Sequence, residues 1–247
     1  MKIDVHCHLE MLEDVSAVLK RCKEKNILAV SAGTNVKTNR EVLNFVENYE
    51  NVFGCLGVYP RDVLKMGERE FDKEIEFIRK QGKKIIGIGE VGMDFKGEVS
   101  KLDRAGQEKA FRQFVTLSLE LGKPIVVHSR KAEEECIDIL EEMKAKKVVM
   151  HCFSGNFKLV ERIVKNGWFL SIPGNVKSLE HFQKVIEKTS INQLLCETDS
   201  PFLHPDKEFP NTPENVVVSY EEIARIKGLD LREVERVIED NFKSLFF

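Results

Sequence analysis

The sequence has few of the residues that staple or stiffen a chain, with 6 cysteines, 7 prolines and 1 tryptophan in 247 positions. Its cysteines, Cys7, Cys22, Cys55, Cys136, Cys152 and Cys196, are scattered, and no two form a C-x-x-C pair. That argues against a disulfide framework and for a reducing cytoplasm. Long apolar runs are also missing. None reaches the roughly 18–20 residues of a membrane span, so no membrane association is expected. The opening Met-Lys-Ile-Asp-Val-His carries no signal-type apolar stretch and is expected to enter the fold directly. Nor is there an excess of positive charge, because 38 Lys and Arg meet 41 Asp and Glu for a net −3. Such a chain does not hold nucleic acid by charge alone; any polyanion must be gripped locally. Finally, no G-x-G-x-x-G phosphate loop is present. The nearest stretch, Gly87 to Gly92, puts Glu90 where backbone amides should meet phosphate, which counts against an open doubly wound sheet.

What the chain does contain is enough apolar residue, 42%, for one large core. Eight short runs rich in β-branched residues recur: Ile3–Val5, Ile27–Val30, Val52–Leu56, Ile85–Ile88, Pro124–Val127, Val148–Met150, Trp168–Ile172 and Leu194–Cys196. Nearly every run is followed by a segment of helical periodicity with charged outer positions, such as Met11–Lys25 and Lys101–Leu121. Continuously apolar strands belong to a parallel sheet covered on both faces. Eight β-then-α units in about 250 residues fit a (β/α)₈ TIM-type barrel, one domain over 1–247. The acidic block Glu133–Glu135 and the basic block Lys144–Lys147 read as the two solvated ends of one helix, suited to its dipole.

Histidine and carboxylate fall at informative places on this frame. His6 and His8 follow the first strand, and alternation puts both imidazoles on one face with Cys7 turned away. Glu90 ends the fourth strand, His128 the fifth and His151 the sixth, and Asp199 lies just past the eighth. All six are expected at the C-terminal mouth of the barrel, where such folds keep their chemistry. Each alone has an ordinary reading, as a hydrogen-bonded histidine or a helix-capping acid. Together they are a ligand set of imidazole nitrogen and carboxylate oxygen suited to divalent ions such as Zn, Mg or Mn. Six ligands are too many for one catalytic ion with an open position. They suit two divalent ions sharing Glu90.

The motifs His6-Cys7-His8, Gly89-Glu90-Val91-Gly92-Met93-Asp94, His128-Ser129-Arg130, His151-Cys152-Phe153-Ser154-Gly155 and Glu197-Thr198-Asp199-Ser200-Pro201 occur in that order. With them the chain resembles the TatD-related metal-dependent deoxyribonucleases, a branch of the amidohydrolase-type barrels, from Asp4 to Asn241-Phe242. The resemblance implies a two-metal hydrolase of phosphodiesters in DNA, of 3′-exonuclease or abasic-site or nick endonuclease type. By position it implies His6, His8, Glu90 and Asp199 for one metal and Glu90, His128 and His151 for the other. Two places depart from the family pattern. Tyr59 stands where a His is commoner, and the loop from Phe202 to Pro210 lacks an Arg-rich segment.

Paired ions roughly 3.5–4 Å apart would activate a bridging hydroxide as nucleophile, with Asp199 taking or relaying its proton or serving only as a ligand. Arg130 offers a bidentate phosphate contact, or an ion pair to Glu133 or Glu134. Ser154 and Asn175 stand where they donate to substrate or cap helices. Tyr59 lines the mouth and stacks on a base or sugar, or covers the core. Cys152 and Cys196 are expected to pack in the core, Asp94 to stabilise a turn, and His181 and His204 to face solvent. Two other activities use the same nucleophile, amidohydrolysis and deacylation of an aminoacyl-tRNA ester. Against the first, binuclear amidohydrolases generally bridge their metals with a modified Lys at the fourth strand, where this chain has Glu90. A non-catalytic decayed barrel would normally have lost a ligand.

Overall fold

A computed structural model describes residues 1–247. Its strands are β1 (Lys2–Cys7), β2 (Ile27–Ala32), β3 (Val52–Leu56), β4 (Gly87–Gly92), β5 (Ile125–His128), β6 (Val148–Met150), β7 (Phe169–Pro173) and β8 (Leu194–Glu197). They form one sheet in sequence order, every neighbouring pair parallel, with helices between them. This is the expected (β/α)₈ barrel.

Two apolar clusters explain why the runs behave as strands covered on both sides. The smaller gathers Ile3, Val5, Val30, Val126, Val149 and Leu195 and fills the interior, where Phe242 and Phe246 of the helix Leu231–Phe246 close it. The larger lies between the strands and the surrounding helices. The barrel floor is therefore apolar, and its polar residues collect at the opposite end.

Two register slips aim those residues. The β1–β2 ladder shifts between Asp4 and Cys7, and the β4–β5 ladder shifts between Ile88 and Val91. The first carries His6 and the second carries Glu90. A bulge adds a residue to one strand and changes which face the following side chains use. Ile3 and Val5 thus belong to the interior cluster, while Cys7 packs outward with the larger one and leaves His6 and His8 pointing in. Just past the second slip, Gly92 lets β4 lie unusually close to β5. At φ +140° it approaches β5 so closely that a Cβ would lie 1.9 Å from the His128 carbonyl oxygen.

The β1–β8 seam is closed largely by side chains. Asp4 is fully buried and accepts from the Thr198 amide at 2.9 Å and the Thr198 hydroxyl at 2.5 Å. Backbone bonds from Asp199 to His6 (3.0 Å) and from His8 to Ser200 (2.7 Å) continue the seam. They tie two sequence-distant ligand segments together.

Three local expectations are corrected. The Met11–Lys25 helix splits into a 3-10 turn over Leu9–Met11 and a helix over Val15–Glu24, because Asp14 caps the latter by accepting from the Ala17 amide at 3.0 Å. The fourth strand sits later than Ile85–Ile88, so that Glu90 is inside it rather than at its end. Glu133–Glu135 does open a helix, but that helix ends at Glu142. Lys144, at φ +57°, turns the chain toward β6, so the basic block lies outside the helix.

Candidate metal centre

All six predicted ligands converge. Glu90 stands at the middle, with carboxylate oxygens 2.8 Å from His128 Nδ1, 3.3 Å from His151 Nε2, 3.4 Å from His8 Nε2 and 3.6 Å from His6 Nε2. Asp199 Oδ1 lies 3.4 Å from His8 Nε2 and 3.6 Å from His6 Nε2. Three ligand groups result: His6, His8 and Glu90; His6, His151 and Asp199; and Glu90, His128 and His151. Glu90 and His151 each belong to two groups, as does His6.

Electrostatics follow from that crowding. Burial pushes the Glu90 carboxyl up, yet its four histidine neighbours outweigh burial and hold it well below the usual carboxylate range. Burial likewise opposes ionisation of Asp199, but the His8 contact and the charges of His151 and His6 keep it low. His8 and His151 run the other way. Burial lowers both, but Asp199, Glu10 and Glu90 raise the first, and Glu197 and Glu90 raise the second, to well above an ordinary imidazole. His6 alone is held low, by burial and by His151, whose ring stacks on it at 4.0 Å.

One side chain shows that a cation fits here. His6 is buried, and neither ring nitrogen has a hydrogen-bond partner. Leaving such groups unpaired in an apolar interior costs free energy. A divalent ion accepting the Nε2 lone pair beside Glu90 and Asp199 supplies a missing partner, and imidazole with carboxylate is a donor set such ions accept.

The other three histidines are aimed from behind. His8 Nδ1 lies 3.0 Å from the Ala32 carbonyl oxygen, leaving Nε2 for the centre. His151 Nδ1 meets Glu197 at 3.3 Å, and Glu197 in turn accepts from the Ser171 hydroxyl at 2.6 Å. His128 is reversed: Nδ1 faces Glu90, while Nε2 lies 3.3 Å from the Tyr59 hydroxyl. That hydroxyl donates to Asp94 at 2.5 Å. Such partners fix tautomer and ring orientation. Glu197, Asp4 and the Tyr59–Asp94 pair are roles that the sequence reading missed or understated. Asp94 does accept from the Lys96 amide in its turn, but it also braces His128. Glu197→Gln is expected to weaken metal binding about 10–100-fold, read by competition with a chromophoric chelator. Unchanged affinity would remove Glu197 from the centre.

The ligands open into a cavity of about 610 Å³. Tyr59, Arg130 and Ser154 line it, and Arg130 is its one Lys or Arg. The Ser154 hydroxyl donates to Glu133 at 3.1 Å, which occupies an acid that the sequence offered to Arg130. Asn175 lies in the 3-10 turn Gly174–Ser178 and does not line the cavity. Cys196 is buried as expected, and Cys152, at φ +43°, is half-buried, packing against the larger apolar cluster while also lining the cavity. Burial drives the Cys152 thiol well above its ordinary range, so it remains a neutral wall rather than a thiolate ligand. His181 is not simply solvent-facing: its Nε2 lies 3.1 Å from the Phe153 carbonyl oxygen and its ring stacks on Phe157. His204 accepts from the Asp206 amide at 3.1 Å.

Comparison with known proteins agrees with this geometry. The model of the TatD related DNase family matches residues 3–247. An uncharacterised metal-dependent hydrolase of Methanocaldococcus jannaschii is 35% identical, over 99% of this chain and 96% of its own. Human deoxyribonuclease TATDN3 is 31% identical, over 99% of this chain and 94% of its own. The crystal structure of the TatD homologue YjjV from Escherichia coli K12 superposes with a TM-score of 0.91 at 23% identity, over 99% of this chain and 97% of that one, which is a likeness of fold. No helix is long and apolar enough to cross a membrane. The barrel with its imidazole–carboxylate centre belongs to the TatD-related family of metal-dependent hydrolases acting on ester bonds.

Proposed function

We propose that this chain, as one unit over 1–247, hydrolyses phosphodiester bonds in DNA, cutting at strand ends, nicks or abasic sites in the cytoplasm. The observation that carries this reading is the placement of Arg130, the cavity's one Lys or Arg, beside the six-residue ligand set. A planar guanidinium suits the paired oxygens of a phosphodiester. The 31% identity to a protein named deoxyribonuclease supports the choice of DNA.

In this reading His6, His8, Glu90 and Asp199 hold one divalent ion and Glu90, His128 and His151 hold a second. When bound, such ions supply Lewis acidity at the phosphoryl oxygens and make water a stronger acid near neutral pH. The protein's own side chains do the rest. Glu90, ionised and touching all four histidines, sets the spacing of the centre. Asp199, kept ionised by His8 and partly open to the cavity, accepts the proton of the attacking water. Arg130 orients the phosphodiester, and Ser154 extends the polar edge of its path. Tyr59 keeps its proton because burial and Asp94 push the phenol up, and it holds His128 in place from the cavity wall.

The test is a chelator-stripped protein offered a single-stranded oligonucleotide labelled at its 3′ end. Hydrolysis is expected to appear on adding Mg²⁺, Mn²⁺ or Zn²⁺. Full activity in excess chelator, or turnover of amides, lactones or aminoacyl esters without any phosphodiester cleavage, overturns the reading.

A further inference from the structure

The cavity mouth is chemically divided. Arg130 supplies its cationic wall, while Met11, Phe202 and Leu203 supply an apolar one next to His8 and Asp199. Met11 and Phe202 are 44% and 46% exposed, unusual for large apolar side chains at a polar centre. Phe202 is held there firmly. Its amide donates to the Asp199 carbonyl at 2.8 Å, and its own carbonyl accepts from the buried Asn211 amide at 2.7 Å. Asn211 also donates to the Thr198 carbonyl at 3.1 Å, so one side chain clamps both ends of the segment. Asp199 and Leu203, at φ +52° and +53°, both occupy the left-handed region that non-glycine residues rarely adopt. Such backbone persists where its surroundings enforce it, and it collects at functional sites. The Phe202 ring centroid lies 6.5 Å from that of His8, so the apolar wall begins beside a ligand of the centre.

We propose that Phe202, with Met11 also lining the cavity, is a stacking subsite for the nucleobase adjacent to the scissile phosphate. The inference rests on the phosphodiesterase reading. Aromatic faces hold bases through their π-surface irrespective of sequence, and a chain with no basic excess has few other means of retaining a strand. Arg130 then takes phosphate across the cavity, and the base lies on the opposite wall. Specificity is for an unpaired nucleoside beside the cut, because a base inside a duplex offers no free face to Phe202.

The metal-loaded enzyme is assayed on oligo-dT and on a polymer of the same length whose residues are all base-free tetrahydrofuran phosphates. Phe202→Ala is expected to reduce the ratio of kcat/KM for oligo-dT over the base-free polymer about tenfold, and Phe202→Tyr to preserve it. An unchanged ratio in Phe202→Ala overturns the subsite. Calorimetry on the metal-loaded protein, which reads binding without turnover, separates this proposal from the reading beneath it. Wild type is expected to bind dAMP more tightly than deoxyribose 5-phosphate, and Phe202→Ala to erase that difference. Equal affinities in wild type overturn the subsite. Cleavage of neither polymer overturns the phosphodiesterase reading, while the dAMP comparison still decides whether bases are held at Phe202.

Discussion

Glu90→Gln is expected to reduce kcat/KM on a labelled oligonucleotide roughly 10³-fold or more while the protein stays folded. The substitution keeps the side chain's volume and one carbonyl oxygen but removes its charge. Glu90 is the only carboxylate within 3.6 Å of all four histidines of the centre. It also belongs to two of the three ligand groups, including the one that contains His128. Several kcal/mol of charge stabilisation at the phosphoryl group depends on metal held there, and each 1.36 kcal/mol is a factor of ten in rate. Metal content measured by plasma emission is expected to fall in the same variant, and far-UV circular dichroism to match wild type. Wild-type activity in folded Glu90→Gln would defeat a centre organised around this residue.

Much of that centre is legible in the sequence because the barrel turns position along the chain into position in space. A histidine or acid at the end of an apolar run becomes a side chain at the mouth, and eight such ends share one rim. His128, His151 and Asp199 need nothing more. His6 and Glu90 show where simple alternation runs out. Counted strictly by twos from Ile3 and Val5, His6 and His8 fall on the opposite face, away from the interior cluster. The slip between Asp4 and Cys7 brings them back in. A bulge has no sequence period, so alternation within His6-Cys7-His8 is right while its phase against the strand is not. Glu197, Asp4 and Asp94 are hidden for a different reason. Their roles depend on contacts to His151, Thr198 and Tyr59, separated from them by 46, 194 and 35 positions. No local pattern encodes such pairs. Tyr59 is the clearest case: its place in the chain suggested a wall or a stacking surface, whereas its hydroxyl braces a histidine.

Stripping metal at pH 8 is expected to lower the melting temperature by about 10 °C, and the loss to shrink toward pH 6. The size follows from linkage: a ligand at a thousand times its Kd adds about 4 kcal/mol, and a chain of this length shifts roughly 2–4 °C per kcal/mol. The sign of the pH effect follows from the histidines. His8, His128 and His151 are held above their ordinary value by Asp199, Asp94, Glu197 and Glu90 in spite of burial. In the metal-free fold their contribution is therefore fully present below about pH 6.5 and is lost as pH rises through the raised folded-state values. His6 is depressed by burial and by His151, and it runs the opposite way, but it is one group against three. Glu90 and Asp199 titrate below this window, since both are held low. A cation must displace protons from the raised histidines, so it binds more weakly as pH falls just where the metal-free protein gains stability. Differential scanning calorimetry with and without chelator between pH 6 and 9 measures both effects together. An increment that is absent, or that grows toward pH 6, would mean that these histidines do not serve a cation, since proton and metal would no longer compete for the same nitrogens.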